Sequence, residues 1–398
     1  MKIEIFLSGE MLEEKTSRKK RKKNKHSRYQ KNREHIKQVK KRKDREQLER
    51  IRYPIIAVSC ILAVIAFIIS GIGIVRVMGK NRLQNQAAAK APELDMMTDE
   101  ETLTEEEEKK WQEGWVKYQG KIYQYNEEIM TFLVMGIDKN SDVEEVPEGT
   151  DGGQADALFL VVLNPKDKSI KVLGINRNSM TDIDIYDDKG EYTTTVKAQI
   201  AVQHGFGNGM EESCEYQVNA VENLLYGVPI HGYAAVNMSA IATINDAVGG
   251  VEITVLEDLT KKDASLVEGK QVHLMGESAF WYVKYRDVYI EHSADGRLER
   301  QKQYLKVFIN TAKQAAKKDI SVILDLYKAV MPQMVTNVSL DEVAYLAPIV
   351  VDYQFHEDSF YSMKGESVRG EKFDEFYFDE TALREMILEI FYEEVELD

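Results

Sequence analysis

Only two cysteines occur in 398 residues, Cys60 and Cys214, and they fall in such different surroundings that no intramolecular disulfide is expected. The chain also lacks a G-x-S-x-G elbow, a Walker A loop, an H-E-x-x-H helix and any cysteine pair at metal-ligand spacing. Those absences remove the commonest hydrolase, nucleotide and zinc readings. The seven histidines are scattered, and His204 and His273 are expected to be structural. What remains is carboxylate and arginine chemistry.

Charge is divided sharply along the chain. Residues 1–53 carry 20 Lys+Arg against 8 Asp+Glu, a net of +12, which leaves 32 against 59 for residues 54–398. Between the two lies Ile55–Val75, an uncharged apolar run of 21 residues. At about 1.5 Å per residue it covers the ~30 Å hydrocarbon core of a bilayer. Arg50 and Arg52 sit before it behind a dense basic run, and only Arg76, Lys80 and Arg82 follow before the sequence turns acidic. The positive-inside rule then predicts a single uncleaved span with a cytoplasmic N-terminus and an extracytoplasmic remainder. The basic tail suits anionic lipid, and it has neither the length nor the apolar pattern of a DNA-binding fold, so no specific nucleic-acid partner is expected.

The expected organisation is a basic tail (1–53), a transmembrane helix (54–78), an acidic linker or helical stalk (79–129), an α/β domain (130–317) and a C-terminal extension packed on it (318–398). Strands are predicted at 130–135, 157–163, 169–175, 182–186, 232–236 and 251–255. Helices are predicted at 198–204, 211–225, 239–248, 278–283, 297–317, 322–330 and 340–347, the last opened by the capping box Ser339-Leu-Asp-Glu342, with a final amphipathic helix through Leu383–Phe391. Strands alternating with helices imply an α-β-α sandwich around a mixed sheet.

Three polar groups fall at strand ends: Asp138, Asp156 and Arg177. A further stretch, Lys284 to Gln301, holds Lys284, Arg286, Arg297, Arg300 and Gln301, with the last three on one face of the first turn of a helix. Hard oxygen donors beside guanidinium forks suit a metal-assisted phosphoryl transfer.

In order along the chain stand Leu133-Val-Met-Gly-Ile-Asp138, Gly153-Gln-Ala-Asp156, Gly174-Ile-Asn-Arg-Asn178, Asp246-Ala-Val-Gly-Gly-Val251, Leu274-Met-Gly-Glu-Ser-Ala279, Tyr282-Val-Lys-Tyr-Arg286 and Asp295-Gly-Arg-Leu-Glu-Arg-Gln301. As an ordered set these resemble the LytR-CpsA-Psr family of membrane-anchored, extracytoplasmic phosphotransferases. The resemblance implies transfer of a glycopolymer, a teichoic acid or capsular polysaccharide, from an undecaprenyl-pyrophosphate carrier to peptidoglycan at the surface of a Gram-positive bacterium. It implies Mg2+ (or Mn2+) held by Asp138 and Asp156. It further implies Arg177, Arg286, Arg297 and Arg300 as catalytic groups, with Lys284, Gln301, Gln154 and Asn178 against the pyrophosphate. The alternative is a carrier-binding scaffold without turnover, and no oligomeric state is implied.

Three positions depart from the family pattern. Gln154 replaces an arginine, Asn178 an aspartate and Lys284 an arginine. Gln154 and Asn178 together leave the net charge unaltered, so the replaced pair is expected to have faced each other as an ion pair. The missing carboxylate at 178 is a candidate base for the acceptor hydroxyl.

Overall fold

A computed structural model describes residues 91–94, 103–146, 151–187, 189–287 and 293–396. The expected tail, membrane span and first part of the linker lie outside the described residues. Among the described residues no helix is long and apolar enough to cross a membrane.

The strands are β1 (Trp115–Tyr118), β2 (Lys121–Tyr125), β3 (Met130–Ile137), β4 (Ala155–Asn164), β5 (Ser169–Ile175), β6 (Met180–Tyr186), β7 (Tyr192–Gln199), β8 (Gly232–Asn237), β9 (Val251–Thr254), β10 (Gln271–Leu274), β11 (Met334–Thr336), β12 (Phe360–Ser362), β13 (Gly365–Arg369), β14 (Asp374–Phe378) and β15 (Tyr392–Val395). The helices are α1 (Glu105–Lys110), α2 (Glu211–Leu224), α3 (Ile241–Ala247), α4 (Glu277–Lys284), α5 (Ser293–Lys318), α6 (Ser321–Val330), α7 (Leu340–Val350) and α8 (Glu380–Phe391).

The central sheet is mixed and runs β11-β8-β3-β4-β5-β12. β4 pairs antiparallel with both β3 and β5, whereas β8 runs parallel to β3 and β12 parallel to β5. Every residue of β4 is buried, as a strand covered on both faces requires. Side-chain alternation sorts the apolar runs into two cores. Phe132, Phe159, Val161 and Leu163 meet Tyr304, Phe308 and Ala312 of α5 on one face. Leu133, Met135, Leu158 and Leu160 meet Val221 and Leu224 of α2, and Ile387 and Phe391 of α8, on the other. The α-β-α sandwich expected from the sequence is thus present, and each periodic apolar stripe faces one of these cores. The capping box of α7 also forms, with Ser339 Oγ accepting from Glu342 N at 3.3 Å and Glu342 Oε2 accepting from Ser339 N at 2.7 Å.

Three expectations need correction. The linker expected to reach residue 129 instead carries the hairpin β1–β2, which pairs with β15 into a three-stranded sheet. Its two-residue loop, Gln119-Gly120, takes positive φ at both positions, the turn that matches strand twist. Tyr125 then packs edge-to-face on Tyr392, with ring centroids 5.6 Å apart, and so joins the start of the folded region to its end. Secondly, the segment after residue 317 is no packed-on extension, because it supplies both edge strands of the central sheet, β11 and β12. Thirdly, the helix expected at 198–204 starts later. Ala198 and Gln199 complete the ladder of β7 with β6, and a 3-10 helix covers Ile200–Phe206.

Candidate functional site

The site gathers where β3 ends and β4 begins. These strands are antiparallel neighbours, with Ile137 opposite Ala155 across a register shift, so the residue after one and an early residue of the other meet at the same sheet edge. Asp138 N donates to Gln154 O at 3.0 Å and fixes the approach. Gly153 holds φ at +90°, and a Cβ there would stand 2.7 Å from Ile137 Cγ2, so the loop entering β4 requires glycine. His204 supports the same loop through Nδ1, 2.9 Å from Gly153 O. Burial holds its imidazole down at about 4, so it stays neutral and structural, as expected.

Asp156 is the centre of the cluster. Its side chain is 8% exposed and lies between two guanidiniums, with Arg177 Nη1 2.8 Å from Oδ1 and Arg297 Nη1 3.0 Å from Oδ2. Arg177 comes from the turn after β5, and Arg297 from the first turns of α5. Burial pulls the Arg297 guanidinium down to about 10 against the opposing pull of Asp156, and burial likewise lowers Arg177. Arg286 adds its own charge to the field at both. Two guanidiniums thus share one carboxylate, and Arg177 Nε is buried with no hydrogen-bond partner among the described residues. Such a cluster suits an anion with several oxygens.

Asp138 lies beside this group and is more open, at 47% exposed, with Lys284 Nζ 2.7 Å from its Oδ1. Lys284 ends α4, and its ammonium also sits 5.3 Å from the centre of the Phe280 ring. Among the described residues no three or more His, Cys, Asp or Glu side chains converge as a metal cage. Asp138 and Asp156 on adjacent strand ends are nevertheless hard oxygen donors of the class that Mg2+ takes. An ion held there would share Asp156 with Arg177 and Arg297, and Asp138 with Lys284, and would draw its remaining ligands from substrate phosphates and water.

The expected claw on α5 divides in two. Arg297 joins Asp156, but Arg300, fully buried at 0% exposed, turns to α4 instead. It donates to the carbonyls of Tyr282 and Tyr285 and pairs with Glu257. Gln301 Nε2 donates to Val283 O at 3.0 Å. These carbonyls belong to the C-terminal end of α4, where helix geometry leaves acceptors unpaired and favours a cation. Arg300 and Gln301 are therefore corrected from ligand contacts to positioning residues, which set the course of the chain carrying Lys284 and Arg286.

Gln154 and Asn178, which stand where the family pattern has the expected ion pair, bind different neighbours in this chain. Gln154 Oε1 accepts from Arg177 Nη2 at 2.6 Å, whereas buried Asn178 accepts from Gln199 Nε2 at 2.8 Å. Arg177 precedes Asn178 in a turn that sends adjacent side chains to different neighbours, so the two positions serve separate networks.

The hairpin β13–β14 contributes residues that the sequence reading omits. Asp374 Oδ2 lies 3.6 Å from Arg286 Nη1, and its Oδ1 is 2.7 Å from Arg369 Nη1. Ser367 Oγ donates to Asp295 Oδ1 at 3.0 Å, and Asn176 Nδ2 approaches the same oxygen at 3.3 Å. The turn Gly370-Glu-Lys-Phe373 between alternating strands signals this hairpin, but nothing local reveals that it docks beside Asn178.

The LytR_cpsA_psr family model matches residues 93–389. Over 218 residues the chain is 30% identical to a polyisoprenyl-teichoic acid–peptidoglycan teichoic acid transferase TagU of Bacillus cereus, a match covering 54% of this chain and 62% of that protein. The chain thus spans less than two thirds of that relative's length. The crystal structure of B. subtilis TagV is similar, with a TM-score of 0.50 and 25% identity over 66% of this chain and 96% of that one. TagT bound to LI-WTA shares the fold, with a TM-score of 0.50 at 22% identity over 66% of this chain and 89% of that one.

Proposed function

Because the chain belongs to the LytR-CpsA-Psr family, we propose that it transfers a glycopolymer from a polyprenyl-pyrophosphate carrier onto peptidoglycan. The observation that carries this reading is the buried Asp156 clamped between Arg177 and Arg297, with Arg286 beside them. Guanidinium forks in a water-poor recess stabilise charge that develops on phosphoryl oxygens far better than they would in bulk water. Asp156 holds the two forks in place, so little reorganisation remains when the substrate arrives. Arg177 Nε is a donor still to be used.

In this mechanism Arg177, Arg286 and Arg297 grip the pyrophosphate oxygens. Lys284 adds a point charge from the side of Asp138, where the ammonium lacks the bidentate fork of an arginine. Mg2+ bound by Asp138 and Asp156 would supply Lewis-acid neutralisation of the pyrophosphate charge. An acceptor hydroxyl attacks the phosphorus that bears the glycopolymer, and the carrier leaves as its monophosphate. The apolar run 55–75 would hold the chain in the cell membrane, with the folded part outside, where carrier and peptidoglycan meet.

The relative named above as a teichoic acid transferase supports teichoic acid as the first polymer to test. The second reading, a carrier-binding scaffold, draws on Asn178, whose amide stands where the resemblance expects a carboxylate. One experiment separates them: the purified chain is given a polyprenyl-pyrophosphate-linked sugar and peptidoglycan, with and without Mg2+. Release of polyprenyl monophosphate with label appearing in peptidoglycan supports the transferase. Carrier retained without release supports the scaffold, and neither binding nor release overturns both.

A further inference from the structure

Asp374 is a carboxylate at the arginine cluster that the mechanism above leaves without a task. It opens β14 directly across from Arg369, and its side chain is 13% exposed. Oδ1 is engaged by Arg369 at 2.7 Å. Oδ2 stands 3.6 Å from Arg286 Nη1, beyond hydrogen-bond length, so that oxygen is held beside the cluster with capacity to accept.

The backbone fixes the residue to Asn178. Gln199 Nε2 donates at once to Asp374 O at 2.7 Å and to Asn178 Oδ1 at 2.8 Å, and Phe376 N donates to Asn178 O at 2.9 Å. One glutamine amide therefore joins the position that lacks a carboxylate to a residue that has one. The neighbouring Phe373 is exposed at the tip of the hairpin, next to Asp374 in the chain.

Of the other two carboxylates, Asp156 holds a guanidinium on each oxygen, and Asp138 pairs with Lys284 through Oδ1 and is the open donor already given to the metal. Arginine does not take up a proton at neutral pH. Alcohol attack on phosphorus needs a group to receive the hydroxyl proton as the new bond forms.

We infer that Asp374 receives the proton of the attacking acceptor hydroxyl, in place of the carboxylate absent at Asn178; the inference rests on the transferase reading. As the acceptor oxygen bonds to phosphorus, its proton passes to Asp374 Oδ2. The bond from that phosphorus to the bridging oxygen breaks, and the electron pair leaves with the carrier monophosphate. Asp374 then returns the proton to water.

The test uses the full chain with a polyprenyl-pyrophosphate-linked sugar as donor and peptidoglycan as acceptor. Turnover and carrier Kd are measured for the parent, for Asp374→Asn and for Asp374→Asn combined with Asn178→Asp. Asp374→Asn is isosteric, and its thermal melt reports folding separately. The expected result is a fall in turnover of about 10²–10⁴-fold with carrier Kd nearly unchanged. Recovery of about tenfold or more in the double variant, where a carboxylate returns on the other side of Gln199, also supports the assignment. Turnover retained in folded Asp374→Asn overturns it and leaves the transferase reading intact. A carrier Kd that weakens in step with turnover overturns it in favour of a role through Arg286. Should Asp374→Asn fail to fold, the smaller Asp374→Ser is read in its place: a fall in turnover with carrier Kd held supports the assignment, and retained turnover overturns it. A parent with no turnover overturns both the function and this assignment.

Discussion

Arg297 and Asp156 form an ion pair at 3.0 Å in which both side chains are nearly excluded from water. A second guanidinium, Arg177, shares the same carboxylate at 2.8 Å. Neutralising Asp156 therefore leaves two buried cations facing each other with Arg286 nearby. Removing one partner of a buried pair typically destabilises a fold by about 3–5 kcal/mol. Asp156→Ala is expected to fall in that range in urea unfolding, and bound pyrophosphate should restore part of the loss. A melt equal to the parent would show that the cluster is solvated rather than buried.

Arg177 and Arg297 are expected to respond alike to loss of the fork with charge retained. In Arg177→Lys and Arg297→Lys a single ammonium replaces a planar set of donors, so at most one of the paired contacts survives. Loss of a preorganised donor to a developing oxyanion lowers kcat by about 10²–10³-fold. Release of polyprenyl monophosphate measures this directly, and an effect confined to KM would assign these arginines to ground-state binding alone.

Arg300 stands one helical turn from Arg297, yet its expected phenotype is different. Its guanidinium ties the C-terminal carbonyls of α4 and Glu257 together. Arg300→Met keeps much of the stem packing but strands those buried acceptors, at about 1–3 kcal/mol. The expected result is a lowered unfolding midpoint, with carrier affinity falling less than in Arg297→Met. Equal losses of affinity in the two variants would return Arg300 to the ligand.

This division of α5 shows where sequence reading stops. The sheet is legible because β3, β4 and β5 are apolar runs bounded by turn residues, and α5 because Phe308, Ile309, Ala312 and Ala316 repeat at helical spacing. Asp138, Asp156, Arg177 and Arg297 are legible as well, since strand ends and a helix start bring them together. The direction of Arg300 is not, because it depends on where α4 ends in space. Asp374 is illegible for the same reason: its contact with Arg286 bridges a long stretch of sequence and depends on how a late hairpin docks beside Asn178. The hairpin β1–β2 is a different case, since its alternation and Gln119-Gly120 turn are present in the sequence but sit next to an acidic run that suggests a stalk.

Acid sensitivity of the fold follows from two histidines outside the arginine cluster. Burial holds His231, like His204, down at about 4 from an ordinary value of 6.5. The geometry agrees for His231: Nδ1 lies 3.1 Å from Thr131 N and accepts its hydrogen, which a protonated ring cannot do. Between these two pH values the unfolded chain binds protons that the folded chain refuses, so stability rises with pH across the window. The contribution is fully present above about 6.5 and is lost as pH falls toward about 4, at roughly 1.4 kcal/mol per pH unit for each histidine. Asn offers an acceptor oxygen near the position of Nδ1 without titrating. His231→Asn is therefore expected to reduce the slope of unfolding free energy between about pH 7 and about pH 5 by roughly one proton's worth. Urea unfolding at several pH values measures that slope, and an unchanged slope would mean that the folded protein carries His231 protonated.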